Sequence, residues 1–313
     1  MAQAIAYREI GAPEVLEIID IPDVIGGPDE VVIAVQAAGV NPIDAKLRSG
    51  IRPTPAITSP RRVGADGAGE IIHVGSEVNG FRVGQSVAFI GAQGAYATHV
   101  PVPASQVFPL PAGVTPAQAA AIGIPAGTAY QALRSLAVGA GDVLLLHGGS
   151  GAVGQAAIQF AGLWGADVIA TASPARFDEV RALGATPVEY GPGLEERVRS
   201  ATPRPITVAL DAAGTDEAIV TSLALVSDRS RIATLVRGAD APGFGIQAYS
   251  GGSARALSDD ELRWRSEAVP VTLALLARGA FTVELGPSLP LAEAAEAHRL
   301  VESGTRGKII LRP

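Results

Sequence analysis

The sequence predicts an α/β fold: a doubly wound parallel sheet joined to a second, β-rich domain. Three observations carry this expectation. A buried strand, a glycine turn and a helix follow one another without interruption over residues 142–165; strands and helices keep alternating after it; and short β-rich runs punctuated by Gly and Pro precede it.

In the first 120 residues, the runs Gln3–Tyr7, Val15–Ile21, Val31–Ala38, Gly69–Val74 and Ser86–Ile90 read as short strands, and together they suggest a compact barrel-like domain. Val100–Leu133 contains no Asp, Glu, Lys or Arg, but Pro101, Pro103, Pro109, Pro111, Pro116 and Pro125 cut it into pieces too short to cross a bilayer. Next, Val143, Leu144, Leu145 and Leu146 form the unbroken apolar run of a strand covered on both faces. Val153, Ala157, Phe160, Ala161 and Trp164 then recur at helical spacing. Ala166–Thr171 is a second strand, Pro174–Gly184 a helix with Pro at its start and Gly at its end, and Thr186–Tyr190, Ile206–Leu210 and Arg231–Val236 are further strands. That alternation implies a parallel sheet. After about residue 270 a helix, Leu291–Glu302, and a last strand, Lys308–Leu311, close the chain. The expected domains are 1–122 with 271–313, and 123–270, with a ligand cleft between the lobes.

Gly149, Gly151 and Gly154 stand at G-x-G-x-x-G spacing between the first strand and its helix. Among 37 glycines the spacing alone is weak, but its strand-turn-helix context makes this a Rossmann dinucleotide-binding unit. Gly149 would make the tight turn, Gly151 admit a pyrophosphate and Gly154 allow close helix packing; Ser150, Ala152 and Val153 complete the turn, and the helix N-terminus supplies unpaired N–H groups. About 20 residues further on, an NAD-binding unit carries an acidic residue for the ribose hydroxyl. Here the second strand runs instead into Ser173 and, beyond Pro174 and Ala175, Arg176: a hydroxyl and a guanidinium, which suit the 2′-phosphate of NADPH. The competing reading has Ser173 capping a helix and Arg176 on a solvated face.

A formal net charge of -7 argues against nucleic acid. Cysteine is absent, which removes disulfides, thiolate zinc sites and cysteine nucleophiles. The opening MAQAIAYREI lacks the charged head and apolar core of a signal peptide, so a cytoplasmic protein is expected. His73, His99, His147 and His298 show no metal-ligand spacing; His147 reads as a structural histidine and His298 as a helix-face residue.

Five segments together resemble a known family: Gly39-Val40-Asn41-Pro42-Ile43-Asp44, Gly64-Ala65-Asp66-Gly67-Ala68-Gly69, Ala126-Gly127-Thr128-Ala129-Tyr130, the glycine turn, and Gly307-Lys308-Ile309-Ile310-Leu311. The chain resembles the zinc-independent, zeta-crystallin-like quinone oxidoreductases of the medium-chain dehydrogenase/reductase superfamily. The resemblance implies a GroES-like substrate domain, an NADPH-binding domain, a homodimer joined through its Rossmann sheets, and two-electron reduction of quinones or related conjugated carbonyls. Zinc-dependent relatives carry a cysteine near the position of Asp44 and a histidine in a Gly-His-Glu run, where this chain has Gly64-Ala65-Asp66. Without a Lewis acid, the favoured acceptor is one whose own conjugation spreads the incoming charge.

By resemblance Asn41 and Thr128 lie near the nicotinamide, Tyr190 lines the adenine pocket, and Lys308 joins the cofactor-binding set. The bland alternatives are that Asn41 stabilises its own loop, Thr128 caps a helix and Tyr190 is a core aromatic. Asp44 and Lys46 could pair with each other, or Lys46 could donate a proton or attract anionic substrates; the chain has only two lysines against 22 arginines. Rival functions are an alkenal or enoyl double-bond reductase and a non-catalytic NADPH-binding sensor or structural protein. A short-chain dehydrogenase is disfavoured, because no tyrosine is followed four residues on by lysine. The loops Arg48–Pro60 and Ala239–Gly252 carry no readable substrate preference.

A charge-assisted hydrogen bond contributes about 1.5–3 kcal/mol, so Arg176→Ala should weaken NADPH binding roughly 10- to 100-fold and leave NADH nearly unchanged. Fluorescence titration with both nucleotides checks this; an equal loss for the two would mean that Arg176 does not read the phosphate.

Overall fold

The computed structural model describes residues 1–249 and 255–313, so the end of the Ala239–Gly252 loop lies outside the described residues. The chain forms two compact units, one from Met1–Ile124 with Val269–Pro313, the other from Pro125–Ala268.

In the second unit, the apolar strand Val143–His147 is buried along its whole length. Among the described residues it sits inside a six-stranded parallel sheet, between Asp167–Ala172 and Val208–Asp211, with Thr186–Glu189 beyond the former and Ile232–Thr234 and Gln247–Ala248 beyond the latter. The strand order therefore reverses at Val143–His147, and the carboxyl ends on either side of it form the crevice where doubly wound sheets bind ligands. Helix Ala152–Leu163 buries Gly154, Ala156, Ala157, Ile158, Phe160 and Ala161. Tyr130, Phe160 and Trp164 meet in an aromatic cluster, with ring centroids 5.1–6.0 Å apart.

The first unit is mainly antiparallel. A small sheet joins Ala2–Tyr7 to Glu17–Ile21 and Arg61–Arg62. The larger sheet is centred on the ten-residue strand Glu30–Gly39, which pairs with Asp66–Val74, His99–Pro103 and the C-terminal strand Lys308–Arg312. Ile310 lies opposite Gly39, so residues 271 positions apart in the sequence are sheet neighbours. Ile5, Val31, Ile33, Ile71, Val87, Phe89 and Val100 fill the core between the sheets.

Both expected parts are present, with differences that have physical causes. The proline-rich stretch after residue 99 yields two short strands, His99–Pro103 and Val107–Pro109, then helices Pro116–Ala120 and Gly123–Ser135. Their prolines stand at sheet margins and in first helical turns, where the missing N–H costs little. No described helix is long and apolar enough to cross a membrane. Helix Asp259–Ala277 continues past Pro270, close to the expected domain boundary. His298 does not lie on an open helix face: it is fully buried, edge-on to Tyr96, and neither ring nitrogen has a hydrogen-bond partner.

Burial, aided by the nearby Arg48 cation, lowers the His298 pKa to about 4, and burial likewise lowers that of His147 to about 4. Both are then neutral in the folded protein while the unfolded chain begins to protonate below about 6.5. The unfolded state binds more protons across that window, so stability is full above pH 6.5 and should fall as pH drops from 6.5 towards 4. Urea unfolding at several pH values checks this, and His298→Leu should flatten the slope.

Candidate active site

The glycine turn starts where the central strand ends. His147 closes the strand, and its Nε2 lies 3.1 Å from Ser222 Oγ. The Ser222 proton goes to Ala218 O at 2.8 Å, which leaves the serine oxygen to accept from the imidazole. Gly148, not Gly149, takes the left-handed conformation, with φ +83°. Its N–H donates to Thr171 Oγ1 at 3.0 Å, and the Gly149 N–H to Thr171 O at 2.9 Å, which ties the turn to the second strand.

The three fingerprint glycines have different reasons to lack a side chain. A Cβ on Gly149 would come within 2.7 Å of Ala170 Cβ, and one on Gly154 would collide with Gly148 O and press on Gly149 at 2.8 Å. On Gly151 it would meet only Gly148 O, at 3.6 Å. Gly149 and Gly154 thus serve packing, while Gly151 is exposed and opens onto free space at the N-cap of helix Ala152–Leu163. Its own N–H donates to Gly148 O at 3.2 Å, but Ser150 before it and Ala152 and Val153 in the first turn present the amides that a helix cannot satisfy itself.

At the end of the second strand, Ser173 makes no capping bond with its side chain, and Arg176 is half-buried at the end of a short 3-10 turn. Tyr190 follows the strand Thr186–Glu189 and is 57% exposed, so it is not a core aromatic. Thr128 lies inside helix Gly123–Ser135 instead of capping it, and is 8% exposed.

Two features of this crevice escaped the sequence reading. Asp211, fully buried at the end of its strand, accepts the Ala213 and Gly214 N–H groups at 2.9 and 2.7 Å and the Thr234 hydroxyl at 2.7 Å. It thereby shapes the loop beside the glycine turn, as Thr171 does on the other side. The available signal was a polar residue at the end of each otherwise apolar strand.

In the first unit, a polar cluster is buried at the end of strand Glu30–Gly39. Asn41 is fully buried; its Nδ2 donates to Gly39 O at 3.2 Å and Asp66 Oδ2 at 3.1 Å, and its Oδ1 accepts from the Lys308 ammonium. Asp66 Oδ2 also accepts the Ile124 N–H at 2.7 Å. Asp44 Oδ2 accepts the Asn41 N–H at 2.9 Å and the Tyr96 hydroxyl at 2.8 Å. The pairing of Asp44 with Lys46 therefore does not form: residues two apart on a helix point to different sides, and Asp44 is buried while Lys46 is exposed. Burial pushes the Asp44 carboxyl up to about 6 and the Lys308 ammonium down to about 8, and it also raises Asp66.

A β-rich unit and a doubly wound dinucleotide-binding unit, arranged in this chain order, define the medium-chain dehydrogenase/reductase architecture. Residues 27–112 match the alcohol dehydrogenase GroES-like domain, and residues 152–242 match the zinc-binding dehydrogenase domain. A quinone oxidoreductase of Pseudomonas aeruginosa is 33% identical over 334 aligned positions, covering 100% of both chains. The crystal structure of Pseudomonas syringae pv. tomato quinone oxidoreductase superposes with a TM-score of 0.85 at 30% identity, over 100% of both chains. That of the Escherichia coli quinone oxidoreductase complexed with NADPH superposes with a TM-score of 0.84 at 26% identity, over 99% of this chain and 100% of the other. The chain belongs to the quinone oxidoreductase family of the medium-chain dehydrogenase/reductase superfamily, and it is an oxidoreductase.

The zinc in the second domain's description finds no fitting donors here. The chain has no cysteine, and among the described residues no three His, Asp or Glu side chains could hold a metal. Asp44 and Asp66 already accept hydrogen bonds from Tyr96, Asn41 and Ile124.

The glycine geometry separates two substitutions. Gly154→Val should unfold the turn, because the added carbon has no room, and the melting temperature should fall sharply. Gly151→Val should keep the melting temperature and instead lose dinucleotide affinity, by tenfold or more in fluorescence titration.

Proposed function

We propose that this protein reduces quinones, or closely related conjugated carbonyls, with NADPH. The observation that carries the reading is the open helix N-terminus at Gly151, together with a second strand that runs into Ser173 and Arg176 instead of a carboxylate.

The amides of Ser150, Ala152, Val153 and Gly154 would hold the pyrophosphate, since those of Gly149 and Gly151 already donate to Thr171 O and Gly148 O; fixed N–H dipoles there replace water without reorganising. Ser173 and Arg176 would hold the ribose 2′-phosphate, and the exposed Tyr190 ring would cover the adenine. Thr128 would present its hydroxyl to the nicotinamide carboxamide or a substrate oxygen. Asn41 and Asp44 enter as the residues that fix the loop after strand Glu30–Gly39, since their polar atoms are engaged inside the protein. Lys46, exposed on its helix, would attract anionic groups. When bound, NADPH supplies the hydride. The protein's task is then to hold an acceptor at about 3–3.5 Å with aligned orbitals, and a quinone or enone needs no further activation because it delocalises the charge it receives. The reading includes a cytoplasmic enzyme that is a homodimer joined through its parallel sheets, as the family resemblance implies.

Anaerobic NADPH oxidation with 1,4-benzoquinone, an enone and an aldehyde tests it. Turnover should be fastest on the quinone, with little on the saturated aldehyde. Faster enone turnover would make the protein a double-bond reductase, and tight NADPH binding without any turnover would make it a sensor or structural protein.

A further inference from the structure

We propose that Lys308 is a positioning residue: its buried ammonium fixes the orientation of Asn41 and, through the shared partner Asp66, the first turn of the helix that carries Thr128. The inference rests on the reading above for its catalytic consequence, but not for its structural one.

The residue types at this point are hard to explain by packing alone. Lys308 is 5% exposed, Asp66 1% and Asn41 0%. Charges buried this deeply are costly to keep unless they are paired and hydrogen-bonded. Apolar side chains could fill the same volume without that cost, as they do around Ile309 and Ile310.

The hydrogen bonds leave Asn41 one orientation. Its oxygen faces an ammonium, which can only donate, and its nitrogen faces a carboxylate and the Gly39 carbonyl, which can only accept. Turning the amide over would set donor against donor on one side and acceptor against acceptor on the other. Lys308 therefore decides how the loop leaves strand Glu30–Gly39 and enters helix Pro42–Arg48.

Asp66 extends the same constraint to a second segment. Its Oδ2 accepts from both Asn41 and Ile124, and a Cβ on Gly123 would lie 2.5–2.8 Å from the carboxylate. The start of helix Gly123–Ser135 is thus seated directly on the carboxylate that also holds Asn41 and that the Lys308 charge favours, and Thr128 follows one turn later in that helix. A compact ammonium suits the site, because the Lys308 stem runs past Gly39, where a Cβ would meet Lys308 Cε at 3.2 Å. The planar, wider guanidinium of arginine, the residue this chain otherwise prefers, would not follow that path.

The test compares the full-length wild type with Lys308→Met, Asp66→Asn and the double variant. Each is read by melting temperature, by amide hydrogen exchange of the nucleotide-free protein over residues 39–44 and 123–128, and by kcat and KM with NADPH and 1,4-benzoquinone from pH 6 to 10. Lys308→Met alone should lose stability, because it leaves a carboxylate buried without its cation. The double variant removes both charges and should recover most of the melting temperature. It should still exchange at least tenfold faster in both segments, with residues 143–147 unchanged, and its kcat should stay at least tenfold down. In the wild type, kcat should fall as the pH rises through about 8, where the ammonium loses its proton, and the double variant should lack that limb. A double variant with wild-type exchange and wild-type kcat would overturn the proposal. If the double variant does not fold, Asp66→Asn decides: unchanged exchange over 123–128 overturns it, and faster exchange there supports it. A wild type that never oxidises NADPH with any acceptor would defeat the proposed function, while the exchange data would still judge Lys308.

Discussion

An ammonium ion can be buried in a protein only where enough acceptors surround it, and much of the first unit is arranged around that requirement at Lys308. Asn41 accepts from it, and the Asp66 and Asp44 carboxylates favour its charged form against the cost of burial. Those carboxylates are in turn held by Tyr96, by the Asn41 amide and by the start of helix Gly123–Ser135. A single cation thereby connects the C-terminal strand, the end of the longest strand of the sheet, and a helix. Burial of the two acids and the base works against all three charges, and the network is kept by its hydrogen bonds.

The second unit solves a different problem, that of bringing backbone close to a charged ligand. Strand Val143–His147 delivers the chain to the reversal point of the sheet, and the turn is then bonded to Thr171 on one side. Asp211 braces the loop on the other side with two backbone N–H groups and the Thr234 hydroxyl. Packing forbids side chains at Gly149 and Gly154 but not at Gly151. The open position is the one that faces the helix amides, so the freedom left there has a use only if something else occupies the space.

Much of this was legible in the order of residues. The four-residue apolar run, the glycine spacing and the strand-helix alternation are local patterns, and each produced the element it implied. Errors arose where local preference met a long-range constraint. Gly148 took the turn conformation assigned to Gly149, because the position of φ > 0 depends on how the turn is tied to the neighbouring strand. Asp44 and Lys46 are close in sequence and opposite in charge, yet one is buried and the other is solvated.

Local chemistry by itself determined the sheet class, the site of the glycine turn and the lack of thiol ligands, since hydrophobic period, glycine spacing and residue type are all properties of neighbouring positions. Only the tertiary structure decided that Lys308 meets Asn41 and that its charge acts on Asp66. That contact depends on the pairing of Ile310 with Gly39, a register between strands from opposite ends of the chain, and it is settled by the burial of both strand faces and not by any preference of the residues that meet.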